Sequence, residues 1–285
     1  MQGFVQVTDS NHRVKIFHSV SLPSIPSIIK RQFECILVRA RIAASRSIAT
    51  GYRHLDGINA LTIDLDDTLW ELMPVILAAE KRLAEWLAGH FPAIPATFTR
   101  DDAMQLRLAI EQEYPDRRHD LRFLRKAVMQ RMANACGYDD SVAEQAYEIF
   151  DTARNEVSFY PDVMPALEVL HQHYPLVAVT NGNADLGKIG VAHLFQAVVT
   201  AVDAGAPKPK QAIFKLASER AGVAARNILH IGDDPNMDVE GARNAGFRTA
   251  WMNRGGKRWP SELDAPDIVF RSMRDVAALL LAEGF

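Results

Sequence analysis

Three times along this chain a short apolar run stops at a turn made of acids or small polar residues. Ile58, Ala60, Leu61 and Ile63 lead into Asp64-Leu65-Asp66-Asp67-Thr68-Leu69; residues 176–179 lead into Thr180-Asn181-Gly182; residues 228–231 lead into Gly232-Asp233-Asp234. Runs of this length, bounded by turn formers, read as strands buried on both faces. From Pro161 onward such strands (176–180, 197–200, 228–231, 248–252, 268–270) alternate with helical patterns at 163–173, 184–193, 211–221, 239–245 and 273–282. That alternation predicts an α/β protein built on a Rossmann-like, doubly wound parallel sheet. Open parallel sheets bind ligands outside the C-terminal ends of their strands, so the three polar turns are expected to converge.

The first strand is separated from the second by a purely helical stretch. Apolar residues recur at helical spacing over 74–90, 101–114, 116–136 and 141–157, with Pro92, Pro95, Pro115 and Gly137 as breaks. This predicts an inserted four-helix cap domain at 70–159, with the α/β core formed by 57–69 and 160–285.

Each polar turn has a bland reading. Acids after a strand are often turn formers or helix caps, Asn-Gly is a common turn, and a loop lysine is normally solvated. The chemical reading is more demanding. Asp64 and Asp66, two residues apart at a strand end, suit attack on phosphorus by one carboxylate and proton handling by the other. Thr180 and the amides of Asn181 and Gly182 suit phosphate oxygens. Lys208 lies between Pro207 and Pro209, which restrict where it points. Asp233 and Asp234 are hard oxygen donors of the kind magnesium takes. Trp70, directly after the first turn, sits where a substrate contact or a hinge is expected.

The ordered set Asp64-x-Asp66-x-Thr68, Thr180, Lys208 and Gly232-Asp233-Asp234 with Asp238 resembles the haloacid dehalogenase-like hydrolase superfamily over roughly residues 57–275. The resemblance implies Asp64 as nucleophile forming an aspartyl-phosphate and Asp66 as general acid and base. It implies Thr180 as the phosphoryl-holding hydroxyl and Lys208 as the neutralising cation. Magnesium (Mg2+) would be bound by Asp64, Asp66 (through its carbonyl) and Asp233, with Asp234 as a further ligand and Asp238 as loop support. Thr68, Trp70, Asn181 and Gly182 are the expected substrate-binding positions. An aspartate nucleophile is ionised at neutral pH without further activation, while Asp66 must carry a proton for part of the cycle, which an acid-crowded, water-poor cleft favours.

The expected function is thus a magnesium-dependent phosphatase of a small phosphorylated metabolite. The string Asp-Leu-Asp-Asp-Thr-Leu-Trp with Thr-Asn-Gly-Asn is similar to bacterial phosphatases of flavin mononucleotide and of 5-amino-6-(5-phosphoribitylamino)uracil. Nucleotide and sugar-phosphate phosphatases are the alternatives. A 2-haloacid dehalogenase, a phosphomutase or a non-catalytic binding module ranks lower. Dehalogenation needs no acid at Asp66, mutases with this type of cap commonly carry glycine in place of Thr68, and no expected catalytic position is empty.

Charge is unevenly spread. Residues 1–56 carry eight Lys or Arg against three Asp or Glu, whereas the remainder carries 24 against 32. An acidic body argues against nucleic acid as partner; the partner that the resemblance implies is a small phosphate ester. Residues 1–56 read as a basic, poorly ordered extension; a membrane-surface targeting segment and a later start are the other readings, although no methionine lies between Met1 and Met73. No apolar run is long enough for a transmembrane segment. The two cysteines, Cys35 and Cys136, sit at no metal-ligand spacing and read as reduced thiols of a cytoplasmic protein. His193 and His230 read as packing histidines.

Overall fold

The computed structural model describes Leu55 and residues 57–282; apart from Leu55, the predicted extension at 1–56 lies outside them, as does Cys35. The strands are β1 (Ala60–Ile63), β2 (Leu176–Thr180), β3 (Ala197–Thr200), β4 (Ile228–Gly232), β5 (Arg248–Met252) and β6 (Ile268–Phe270). They form one sheet in the order β3-β2-β1-β4-β5-β6, with every pairing parallel. The chain winds outward from β1 to β3, then crosses back to β4. The crevice beyond β1, flanked by β2 and β4, lies at the point where the winding reverses.

Alternation along the strands puts a separate apolar layer on each face. Leu61, Ile63, Ala178, Leu229 and Ile231 pack into one cluster with helices α6 (Val163–Leu170) and α11 (Met273–Ala282). Ala60, Val177, Val179 and Ile228 face the other way, against Ile213, Phe214 and Ala217 of α9 (Gln211–Ala221). Both faces are covered, as the doubly wound reading requires.

Between β1 and β2 the helices are α1 (Leu72–His90), α2 (Ala93–Thr97), α3 (Arg100–Glu113), α4 (Leu121–Ala135) and α5 (Ser141–Arg154). They enclose a hydrophobic cluster of their own, with Leu83, Ile110, Leu124, Met132 and Phe150 at its centre. In α1 the buried residues Val75, Ala79, Leu83 and Leu87 recur every fourth position, the spacing of a single stripe. The chain enters and leaves this insertion side by side. Trp70 bridges antiparallel to Phe159, and the Tyr160 amide donates to the Leu69 carbonyl at 3.0 Å.

Several boundaries differ from the sequence reading. The predicted helix over 116–136 breaks: Pro115–Arg117 is a 3-10 turn, and α4 begins only after Asp120, whose carboxylate accepts from the Phe123 amide at 2.9 Å. Pro95 does not stop structure but sits within the short α2. The helix expected over 184–193 divides into α7 (Leu186–Ile189) and a 3-10 turn (Ala192–Leu194), because Gly190 adopts a left-handed φ of 90°. The helix expected at 239–245 begins as a π-helical turn at Pro235–Glu240 and continues as α10 (Gly241–Asn244); a further short helix, α8 (Ala201–Ala204), follows β3.

Gly241 is where this π turn meets the Lys208 loop. A Cβ there would lie 2.9 Å from Pro209 Cα and 2.8 Å from the Phe214 ring, closer than packed side chains tolerate. Gly241→Ala is therefore expected to cost about 1–3 kcal/mol through overpacking. Gly89 lies in α1 with nothing near its Cβ position, and Gly89→Ala is expected to be neutral or stabilising by up to about 1 kcal/mol. Urea denaturation of both variants checks the pair.

Candidate active site

The ends of β1, β2 and β4 bring Asp64, Thr180 and Asp233 to one crevice. Asp64 is buried, and its Oδ2 accepts from the Thr68 hydroxyl at 3.3 Å. The turn after Asp64 is closed by Asp67, which takes a left-handed φ of 61° and accepts from the Leu72 amide at 2.9 Å. Aspartate tolerates that conformation better than most residues. Arg254 clamps the same turn from outside, donating to the Thr68 carbonyl at 3.0 Å while pairing with both oxygens of Asp162.

Lys208, 4% exposed, contacts Asp64 Oδ1 and donates to Asp238 Oδ1 at 2.6 Å. Its loop is fixed by Asn181, whose Oδ1 accepts from the Lys208 amide at 2.6 Å and whose Nδ2 donates to the Lys208 carbonyl at 3.1 Å. Asp238 also lies 3.2 Å from His230 Nε2 and accepts from the Asp234 amide at 3.0 Å. Thr62 Oγ1 is 2.9 Å from His230 Nδ1. An ionised Asp238 only accepts, so Nε2 carries the ring proton and Nδ1 accepts from the Thr62 hydroxyl.

These contacts sort the charges. Burial works against ionised Asp238, yet Lys208 and His230 hold its carboxyl below the ordinary range. Burial opposes the Lys208 charge too, but Asp238 and Asp64 outweigh it and raise the ammonium pKa. Burial lowers His230, which stays neutral. Asp64 is different: burial pushes its carboxyl well up, Lys208 pulls it down, and the charge of Asp238 pushes it up again. Asp233 is raised to about 7 by burial, then by Asp238 and Asp67. A nucleophilic carboxylate at Asp64 is favoured by the cations around it, Lys208 first among them.

The oxygens supply the other half of that argument. Asp64, Asp233 and Asp238 each present a carboxylate oxygen within 4.8 Å of the others. A purely oxygen donor set, with two carboxyls raised by burial and crowding, fits a hard divalent cation such as magnesium.

The structure gives the other predicted site residues the following partners. The Asp66 carboxylate is held by Trp70 and Arg154, and its backbone carbonyl is the group expected at the metal. Asp234 accepts from the Asn236 and Met237 amides, both at 2.8 Å, and caps the π turn; Asp238 takes its place in the acidic cluster. Thr68, expected at the substrate, is fully buried and orients Asp64. Asn181 is committed to the Lys208 loop. Gly182 donates to Thr180 Oγ1 at 2.9 Å, and a Cβ there would lie 2.7 Å from Asp66 Oδ2, so it makes room for Asp66. Trp70 has no exposed surface; its indole donates to Asp66 Oδ1 at 2.9 Å and its ring meets Phe159 edge-on at 5.4 Å. His193 is exposed, and His230 belongs to the lysine network.

One site residue escaped the sequence reading. Arg154, 1% exposed, closes α5 and donates from Nη2 to both oxygens of Asp66 at 2.7 Å. Its signal was a charge on the buried stripe of an amphipathic helix, in register with Tyr147 and Phe150. The crevice around Asp66 is therefore not simply acid-crowded, because a buried cation sits against it.

The raised Asp233 carboxyl gives a pH signature. In an unfolded chain aspartate titrates near 4; here it titrates at about 7. The folded protein then holds a proton that the unfolded chain has lost, so stability falls as pH rises through that window and the penalty is full above it. Asp233→Asn is expected to raise the metal-free melting temperature by about 2–4 °C at pH 8 and by less at pH 5. Stabilisation of the wild type by magnesium is expected to be larger at pH 8 than at pH 6, and to vanish in the variant. Thermal melts with chelator or magnesium read both effects.

The family model described as haloacid dehalogenase-like hydrolase matches residues 58–246. A 5-amino-6-(5-phospho-D-ribitylamino)uracil phosphatase, YigB of Escherichia coli (strain K12), is 35% identical over 205 residues, covering 70% of this chain and 86% of that protein. A phosphoserine phosphatase of Thermus thermophilus is 31% identical over 250 residues, covering 76% and 96%. Among solved structures, a 2-haloacid dehalogenase from Pseudomonas syringae pv. Tomato DC3000 superposes with a TM-score of 0.76 at 34% identity, covering 79% of this chain and 99% of that one.

Proposed function

This chain belongs to the haloacid dehalogenase-like hydrolases and is a phosphatase of that family; from that premise we propose that it cleaves a small phosphate monoester through an aspartyl-phosphate on Asp64. The observation that carries this reading is the buried Lys208 shared between Asp64 and Asp238, which brings a fixed cation to the nucleophile. In the first step Asp64 attacks phosphorus, the bond to the leaving oxygen breaks, and Asp66 gives that oxygen its proton. In the second, Asp66 takes a proton from water, the hydroxide attacks phosphorus, and the bond to Asp64 breaks to release inorganic phosphate. Lys208 offsets the repulsion between the carboxylate and the anionic ester. Thr180 keeps a hydroxyl proton for a phosphoryl oxygen while its lone pair accepts from Gly182. Thr68 orients the nucleophile and Asn181 holds the lysine loop.

Asp64 and Asp233, with Asp238 beside them and the Asp66 carbonyl, are the groups that would hold magnesium. When bound it supplies positive charge for the equatorial oxygens of the transferring phosphoryl group. The helices between β1 and β2 act in this reading as a cap over the crevice, spanning residues 70–159. The YigB similarity favours a phosphoribitylaminouracil as substrate; flavin mononucleotide, a second ribityl phosphate, follows from the sequence resemblance. A haloacid dehalogenase reading draws on the Pseudomonas syringae neighbour, but the proton-handling Asp66 and the three-carboxylate cluster have no task in it.

Phosphate release from a panel of flavin, ribityl, sugar and nucleotide phosphates, with and without magnesium, tests the reading. Magnesium-dependent release is expected, highest on the ribityl phosphates. Asp64→Asn is expected to lower kcat by about four orders of magnitude on every substrate, because an amide cannot form the acyl-phosphate. Full turnover in that variant, or halide release without phosphate release in the wild type, would overturn the mechanism.

A further inference from the structure

Resting on the phosphatase reading above, we infer that Arg154 is the positioning residue for Asp66, so that the helical insertion takes a direct part in proton transfer. Four observations converge on it. First, Arg154 belongs to the last turn of α5, yet its guanidinium reaches the motif after β1 and bonds both Asp66 oxygens. Second, Asp66 is held from the other side by the Trp70 indole. Its carboxylate, 15% exposed, is thus fixed in rotation while still open to the crevice. A proton donor has to meet the leaving oxygen within hydrogen-bond reach, and a carboxylate free to rotate would do so only part of the time.

Third, the end of α5 is bolted to the loop after β2 on both sides of Arg154. Asp151 pairs with Lys188, Asn183 Nδ2 donates to the Tyr147 hydroxyl at 3.2 Å, and Asn155 Oδ1 accepts from the Asp185 amide at 2.7 Å. The same loop contains Gly182 and directly follows Thr180, the last residue of β2, so the helix end is registered against the phosphate-holding residues. Fourth, stability does not explain the residue. Nη2 makes both contacts to Asp66, while Nη1 is buried without a hydrogen-bond partner among the described residues. A guanidinium serving only as a structural tie would use its fork for two parallel bonds, and buried ion pairs are commonly replaced by apolar residues without loss of stability. An unsatisfied buried donor in a native protein calls for a functional reason.

The readout is the dependence on leaving group. An alkoxide leaving from an alkyl phosphate needs a proton from Asp66, whereas p-nitrophenolate leaves without one. Arg154→Met is expected to lower kcat about 100-fold or more on alkyl phosphates such as flavin mononucleotide. On p-nitrophenyl phosphate the loss should be about tenfold or less, with KM little changed on both. Arg154→Lys should recover part of the lost alkyl-phosphate turnover. Trp70→Phe, which removes only the second hold on Asp66, should show the same selectivity in weaker form and carries the test if Arg154→Met does not fold. Equal losses on both leaving groups in the folded variants, or no loss, would overturn the assignment and leave the phosphatase reading standing. Wild-type protein that releases phosphate from neither class would bring down that reading and this assignment with it.

Discussion

The site depends on one buried lysine shared by two carboxylates. Lys208 joins Asp64, at the end of β1, to Asp238, in the π turn after β4, and so ties together neighbouring strands of the sheet at their chemical ends. Burying an ammonium and two carboxylates costs several kcal/mol per ion, and the mutual attraction compensates only where geometry and hydrogen bonding are good. Here the surroundings supply that geometry. Asn181 grips the lysine backbone by both its amide and its carbonyl, His230 and the Asp234 amide complete the shell of Asp238, and Thr62 fixes the His230 tautomer. Side chains from β1, β2, β4 and their following loops are spent on aiming one charge.

That arrangement is deliberately incomplete in charge. Asp238 is satisfied by Lys208 and His230, whereas Asp64 and Asp233 are left with carboxyls raised by burial. One lysine cannot neutralise three neighbouring acids, so the crevice retains an appetite for positive charge on the side away from the lysine. The same shortage that makes the folded chain pay in stability near neutral pH is what allows a divalent cation and an anionic ester to meet there.

Much of this was legible in the sequence, for identifiable reasons. β2, β3, β5, β6, α9 and α11 fall at their expected residues because strands buried on both faces and single-stripe helices leave strong periodic signals. The acids of the crevice were legible because they follow those strands directly. The errors sit where a backbone event overrides the pattern: the left-handed Gly190 within an apolar stretch, the break before Asp120, and the π turn that carries Asp238. At the level of single side chains, residue type alone did not separate groups facing the crevice from groups holding those that do. Thr68, Asn181, Gly182 and Asp234 carry the chemistry of ligand contacts and also lie against Asp64, Lys208, Asp66 and a helix N-terminus. Only tertiary register decides between those uses.

Arg154 is the extreme case of that limit, and it links the two halves of the fold. Its partner is 88 residues away in sequence, and nothing local to either residue announces the pairing. Once formed, it gives the helical insertion a different relation to the crevice from that of a lid that only excludes water. The insertion has its own hydrophobic cluster and is connected to the sheet by two chain segments running side by side past Trp70 and Phe159. Arg154 on α5 reaches Asp66 across the two parts of the fold, while Asp64 and Lys208 meet on the sheet side of the crevice. In that division of labour the ends of the strands aim the nucleophile, and under the inference above the end of α5 aims the proton donor.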